Sequence, residues 1–224
     1  MITDYSKQES LIKTVDQKGR INIIGAGACG SWVAFILLKM GFKDIHVYDF
    51  DLIEEHNIPN QLYKESQIGQ LKVRALMNIY EEFFNDDKDR LVIHTEPITE
   101  ENAGMLRDVV INCVDTMSAR KYIYERAYKY GRANVLIEDR LSIYGGYIYM
   151  LSKEGDVKED KYEQTFYEDE DAEVSACGVS QTALPAAINV ASIIVMQLIS
   201  YYTGESFKYS IQYTIPDMYS IVED

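Results

Sequence analysis

Gly25, Gly27 and Gly30, spaced G-x-G-x-x-G within Ile21-Asn22-Ile23-Ile24-Gly25-Ala26-Gly27-Ala28-Cys29-Gly30, make the stretch best suited to hold an anion. Glycines let backbone N–H groups approach a phosphate closely, and a helix starting behind them adds unpaired donors and a partial positive charge. The spacing alone separates neither NAD, FAD and ATP from one another nor a ligand-binding turn from one that only packs. Asp49 follows 19 residues after Gly30, where a carboxylate commonly accepts hydrogen bonds from ribose hydroxyls. Residues 49–61 then form a polar loop rich in donors and acceptors, with Asp51, Asn57, Asn60 and Gln61 among them, and such loops usually carry function. Lys72 falls in the first turn of the next predicted helix, an odd place for a cation on dipole grounds; a plain surface lysine is the alternative. Asp115 ends an apolar run and reads either as a ligand-facing carboxylate or as a helix N-cap.

These side chains converge only if strand ends converge. The run 21–24, the glycine turn and apolar residues at helical spacing over 31–40 open a βαβ unit. Gly41 closes that helix, and 44–49 reads as the second parallel strand. Helices are predicted over 68–84, 100–106 and 117–130, and strands over 91–95, 109–115, 134–139 and 143–151. The pattern predicts an α/β fold: a Rossmann-like, doubly wound, mainly parallel sheet with a C-terminal antiparallel extension supplied by a hairpin at 209–213 and 218–222. Ligands bind such sheets at the carboxyl ends of the parallel strands, so Asp115 is expected in one crevice with Gly25. The apolar segment 183–202 holds Pro185, Asn189, Ser192, Gln197 and Ser200 without basic flanks, which predicts a core or interface helix rather than a membrane span.

The 224 residues, 47% of them hydrophobic, predict a single domain over 1–224 with an N-terminal arm at 1–19 and an acidic crossover excursion at 153–173. Ten acidic residues in that excursion predict a solvated segment. A net charge of −14 argues against nucleic acid, which needs clustered Lys and Arg, and suits a basic or neutral partner. Residues 1–16 lack the charged and apolar regions of a signal peptide, and Cys29, Cys113 and Cys177 are too few for a disulfide framework, so a reducing cytoplasm is expected. Three cysteines also exclude an all-cysteine zinc tetrad.

Taken as an ordered set, these stretches resemble the ThiF/MoeB/HesA family, which includes the adenylation domains of ubiquitin-activating enzymes. The resemblance rests on Gly25-Ala26-Gly27-Ala28-Cys29-Gly30, Asp49-Phe50-Asp51, Asn57-Ile58-Pro59-Asn60-Gln61, Gly69-Gln70-Leu71-Lys72 and Asn112-Cys113-Val114-Asp115. It implies ATP-dependent adenylation of the C-terminal carboxylate of a ubiquitin-like or sulfur-carrier protein with a diglycine tail, in a homodimeric enzyme. On that resemblance Lys72 and Lys7 bind phosphate oxygens and Asp115 holds Mg²⁺. Gly25, Gly27, Gly30, Asp49, Asp51, Asn57, Asn60 and Gln61 line the nucleotide. Two positions depart from the family pattern. Asn60 stands where the family has arginine, and Lys7, in Tyr5-Ser6-Lys7-Gln8, replaces an arm arginine that reaches the neighbouring subunit's ATP. Lysine keeps the charge but loses the bidentate fork. Cys177, eight residues before Pro185, matches the place where relatives carry a thiol nucleophile, although a packing residue is the alternative. Two other functions stay open: a non-catalytic scaffold or weaker subunit, which Asn60 and Lys7 favour, and a nicotinamide-dependent oxidoreductase, which leaves Lys72 and the Asn/Gln loop without a task.

Overall fold

The computed structural model describes residues 4–15, 17–84, 89–154, 158–169, 181–215 and 219–223. The N-terminal arm forms a 3₁₀ turn, Ser6–Gln8, and a short helix α1, Glu9–Thr14. Strand β1 (Ile21–Ile24), helix α2 (Gly30–Met40) and strand β2 (Ile45–Tyr48) follow, then α3 (Lys72–Phe83) and β3 (Leu91–His94). Strand β4 (Arg107–Asn112) leads into α4 (Met117–Ile123), which continues as one π-helical stretch, Tyr124–Lys129. Strands β5 (Arg132–Ser142) and β6 (Gly145–Ser152), helices α5 (Glu159–Glu163) and α6 (Leu184–Thr203), and strands β7 (Ser210–Thr214) and β8 (Tyr219–Glu223) complete the chain.

The eight strands form one sheet in the order β3-β2-β1-β4-β5-β6-β7-β8. The first five run parallel and the last four, counted from β5, are antiparallel. This is the doubly wound sheet with an antiparallel extension that the strand pattern predicts. Both faces are covered, so the central strands read as continuous apolar runs. Ile21, Ile23, Val47, Ile111 and Ile137 face α2, α3 and α6 in one core; Ile24, Tyr48, Val110 and Leu136 face Tyr124, Ala127 and Tyr128 in the other. Pro185 sits in the first turn of α6, where its missing N–H has no partner to lose. By length and composition α6 could cross a membrane, yet it packs on α2, β5 and β6 through Ala187, Val190, Ala191, Ile194 and Leu198.

Three details differ from the sequence reading. Strand β4 stops at Asn112, the partner of Ile24 at the end of β1, so Cys113-Val114-Asp115 is loop. The predicted helix over 100–106 is a single 3₁₀ turn, Ala103–Met105. The acidic excursion does not simply float in solvent. Tyr162 is 0% exposed within an aromatic cluster with Tyr124, Tyr149 and Phe166, and its hydroxyl donates to the buried Glu138 of β5. Arg140 Nε donates to Glu138 at 2.8 Å, and Arg120 Nη1 lies 3.4 Å from it. The segment's aromatics therefore anchor it to the sheet, and its Glu163 accepts from the Tyr124 hydroxyl at 2.7 Å.

Candidate functional site

The glycine turn is built from both sides. Gly25 has φ +93°, and a Cβ there would meet the carbonyl oxygen of Cys113 at 2.6 Å. Only glycine combines that left-handed backbone with so close a neighbour. A Cβ at Gly30 would strike the Gly25 carbonyl at 2.0 Å, whereas one at Gly27 would meet nothing nearer than Gln61 Nε2 at 4.0 Å. Gly25 and Gly30 thus shape the turn, and Gly27 is its open position.

Ala26, between them, is gripped at both ends of its backbone. Its N–H donates to Asp49 Oδ2 at 2.7 Å, and its carbonyl accepts from the Tyr63 hydroxyl at 2.6 Å. The other oxygen of Asp49 accepts the N–H of Asp51 at 2.8 Å. Burial pushes the Asp49 carboxyl above its ordinary value, against the opposing pull of Lys72 and the two N–H donors. Tyr63 is a residue the sequence did not single out. Its pattern signal is slight, a lone aromatic just past the polar loop.

The loop over the turn divides its labour. Asn57 Oδ1 accepts the N–H of Glu54 at 2.9 Å, closing the local turn, so this side chain is engaged within the loop. Asn60 Nδ2 donates to the carbonyl of Thr182 at 3.2 Å. Oδ1 of Asn60 and Oε1 of Gln61 are buried without a hydrogen-bond partner among the described residues. Buried acceptors left unpaired cost about 1–3 kcal/mol each, so they mark places where a ligand N–H or O–H fits. Lys72 opens α3 almost fully buried, with Nζ 2.7 Å from Asp51 Oδ2 and its backbone N–H 2.9 Å from the Asp51 carbonyl. It is not a plain surface lysine. Asp51 itself is half exposed, so this ion pair opens onto solvent at the turn.

Asp115 lies in the loop that leaves β4 next to Gly25. It is exposed, and its carboxylate has no hydrogen bond among the described residues. The N-cap of α4 is Thr116, which makes no side-chain cap. The capping carboxylate comes from the excursion: Asp169 Oδ1 accepts the N–H of Met117 and, at 3.3 Å, that of Ser118. The N-cap reading of Asp115 therefore falls, because a distant residue fills that role. The Ser118 hydroxyl and these N–H donors hold the Asp169 carboxyl below its ordinary value.

The remaining candidates lie elsewhere. Lys7 is exposed on the arm, which docks at the C-terminal end of α2: Gln8 Nε2 lies 3.5 Å from the Lys39 carbonyl, and Tyr5 packs on Gly41 and accepts from Arg90 Nη1 at 3.1 Å. With 11 residues α2 is about 16 Å long, which separates Lys7 from its own glycine turn at the other end. Cys177 lies outside the described residues. Cys29, at the N-cap of α2, is buried, which pushes its thiol up to about 11; the thiol of Cys113, likewise free, is raised by its hydrogen bond with Cys29 and by burial. Neither is an activated nucleophile.

The chain is 25% identical to the SUMO-activating enzyme subunit uba-2 of Caenorhabditis elegans over 152 residues, which are 66% of this chain and 25% of that protein. It is 30% identical to the adenylyltransferase and sulfurtransferase MOCS3 of Anopheles gambiae over 108 residues, 46% of this chain and 24% of that protein. It thus spans only about a quarter of either relative. Among solved structures, Escherichia coli MccB superposes with a TM-score of 0.77 at 14% identity, covering 98% of this chain and 66% of that one. MccB crystallised with ATP gives 0.73 at 13% identity, with 96% of this chain and 65% of that one covered. These likenesses show the fold. Residues 6–221 match the ThiF family along nearly their whole length, and the chain belongs to that family.

Proposed function

We propose that this protein is an ATP-dependent adenylyltransferase acting on the C-terminal carboxylate of a ubiquitin-like or sulfur-carrier protein. One observation carries the reading: a nearly buried Lys72, paired to Asp51, stands with the Asp49-braced glycine turn and the unengaged Asp115 at one end of a ThiF-family sheet. Adenylation joins two anions, a carboxylate and the α-phosphate of ATP, so positioning and charge neutralisation supply most of the catalysis. The carboxylate oxygen forms a bond to the α-phosphorus as the α–β bridging bond breaks, releasing pyrophosphate. In this reading Gly27 and its neighbours offer N–H groups to phosphate, and Lys72 exchanges Asp51 for a phosphate oxygen. Each Asp49 oxygen accepts one N–H and keeps a lone pair for the ribose hydroxyls. Gln61 and Asn60 bring acceptors that suit the sugar or base better than phosphate.

Asp115 fits a Mg²⁺ ligand by chemistry: a hard oxygen donor that the fold leaves unengaged. Bound there, the ion supplies charge neutralisation at the phosphates. We place Lys7 at the neighbour's site in a homodimer, since its own turn lies beyond the length of α2. Whether the acyl group then passes to Cys177 is a separate step that the same first reaction precedes. The test is pyrophosphate exchange stimulated by candidate carrier proteins bearing a free C-terminus. Wild type should exchange and Asp115→Ala should not; binding of a carrier without exchange would favour the scaffold reading that Asn60 and Lys7 suggest.

A further inference from the structure

Beneath the glycine turn lies a cluster that the adenylation reading does not use. Cys29 comes from the turn, Cys113 from the β4–α4 loop and Asp139 from β5, and one ligand atom from each lies within 4.8 Å of the others. Cys29 and Asp139 are each 3% exposed. Asp139 Oδ1 is buried with no nitrogen or oxygen donor among the described residues and faces only the weakly donating thiols of Cys29 and Cys113. Unpaired buried carboxylate oxygens are costly, and nothing in the phosphate chemistry above explains this one.

We propose that Cys29, Cys113 and Asp139 bind a thiophilic divalent cation, for which Zn²⁺ is the natural probe. Two sulfurs and one carboxylate oxygen match the ligand set of zinc, leaving a fourth position for water. They do not match Mg²⁺ or Ca²⁺, which take oxygen ligands throughout. Binding balances in charge: one Zn²⁺ enters, two S–H bonds break to give two Zn–S bonds, and two protons leave to solvent. The buried charge is therefore unchanged by the exchange. Arg120 and Arg140 both pair with the neighbouring Glu138 of β5. Arg120 also orients the Asp139 backbone by donating to its carbonyl, the kind of support that metal ligands commonly receive. Bound zinc would tie the phosphate-binding turn to the loop that ends in Asp115 and to β5, three segments far apart in the chain.

The experiment needs neither nucleotide nor carrier, so its outcome is independent of the adenylation reading. The full chain in a Cys177→Ser background, stripped with a chelator and desalted, is loaded with Zn²⁺ or Co²⁺, desalted again and assayed by elemental analysis and absorbance. The expected result is one zinc per chain, a thiolate-to-cobalt charge-transfer band, and protection of both remaining thiols from alkylation. Cys29→Ser and Cys113→Ser should each lose the band, and Asp139→Asn should weaken zinc at least tenfold. Absence of stoichiometric metal in the folded background protein overturns the proposal without recourse to the variants. So does retention of the cobalt band in the Cys29→Ser/Cys113→Ser protein, or a metal-free product two hydrogens lighter, in which the thiols have paired as a disulfide.

Discussion

Replacing Asp49 with asparagine separates a brace from a ligand contact. In the folded chain the carboxylate accepts two backbone N–H groups, from Ala26 at 2.7 Å and Asp51 at 2.8 Å. An asparagine keeps one oxygen and turns an NH₂ group toward the second donor, so one charge-assisted bond is lost. Such a bond contributes about 1.5–3 kcal/mol. In a chain of this size each kcal/mol moves the melting midpoint by about 2–4 °C, so the variant should melt about 3–12 °C lower. Urea unfolding followed by circular dichroism should show a lower midpoint at unchanged slope, because the surface exposed on unfolding is the same. Tyr63→Phe should cost a comparable amount by orphaning the Ala26 carbonyl. The double variant should be non-additive by about 0.5 kcal/mol or more, since both side chains hold one peptide. A loss below about 0.5 kcal/mol in Asp49→Asn, with ATP affinity nonetheless reduced, would refute the brace and leave Asp49 a pure ligand contact.

Other outcomes follow from the same geometry. If the chain forms the proposed homodimer with Lys7 acting at the neighbour's site, mixing Lys7→Ala with Asp115→Ala subunits should recover about a quarter of wild-type exchange, because half the dimers would be mixed and each would have one intact site; no recovery in verified mixed dimers would exclude action in trans. His46 Nδ1 lies 2.8 Å from His94 Nε2, and burial together with the nearby Arg20 lowers both imidazoles from 6.5. The unfolded chain then takes up protons first, so stability should be level above pH 6.5 and fall as pH drops toward the folded values; His94→Gln should flatten that slope in urea titrations. Asp169→Ala should uncap α4 and release the excursion, a cap of about 1 kcal/mol corresponding to a roughly fivefold faster amide exchange in 117–123 and 158–169. Since Asp169 titrates below its ordinary 3.8, the wild-type tether should hold above that pH and fail as acidity passes the folded value.

What the sequence disclosed was what local pattern records. Apolar runs and helical spacing located the strands and most helices, and the glycine spacing located the turn between β1 and α2. Tyr63, Arg120 and Tyr162 were not legible, because their roles depend on which strands and segments become neighbours, and no periodicity encodes that. Asp169 is hidden for a different reason: in a segment with ten acids, nothing in the pattern separates a carboxylate that caps a helix from one that only meets solvent. Lys72 showed only its anomaly, a cation at a helix start; its partner Asp51 is 21 residues away and is brought beside it by the Leu52–Leu71 bridge that closes the loop between β2 and α3. The β4 boundary was misplaced because the apolar run continues past the last residue of β1 able to pair with it.

The double grip on Ala26 also sets how a ligand should arrive. A phosphate loop that orders only around its ligand must spend part of the binding energy on that ordering, and its association rate levels off as the loop's own motion becomes limiting. Here Asp49 and Tyr63 hold the peptide from opposite sides through contacts within the chain itself. Capture of nucleotide should then be a single bimolecular event, with an observed rate rising in proportion to concentration and no slow second phase. Discrimination between nucleotides would appear in how long each one stays.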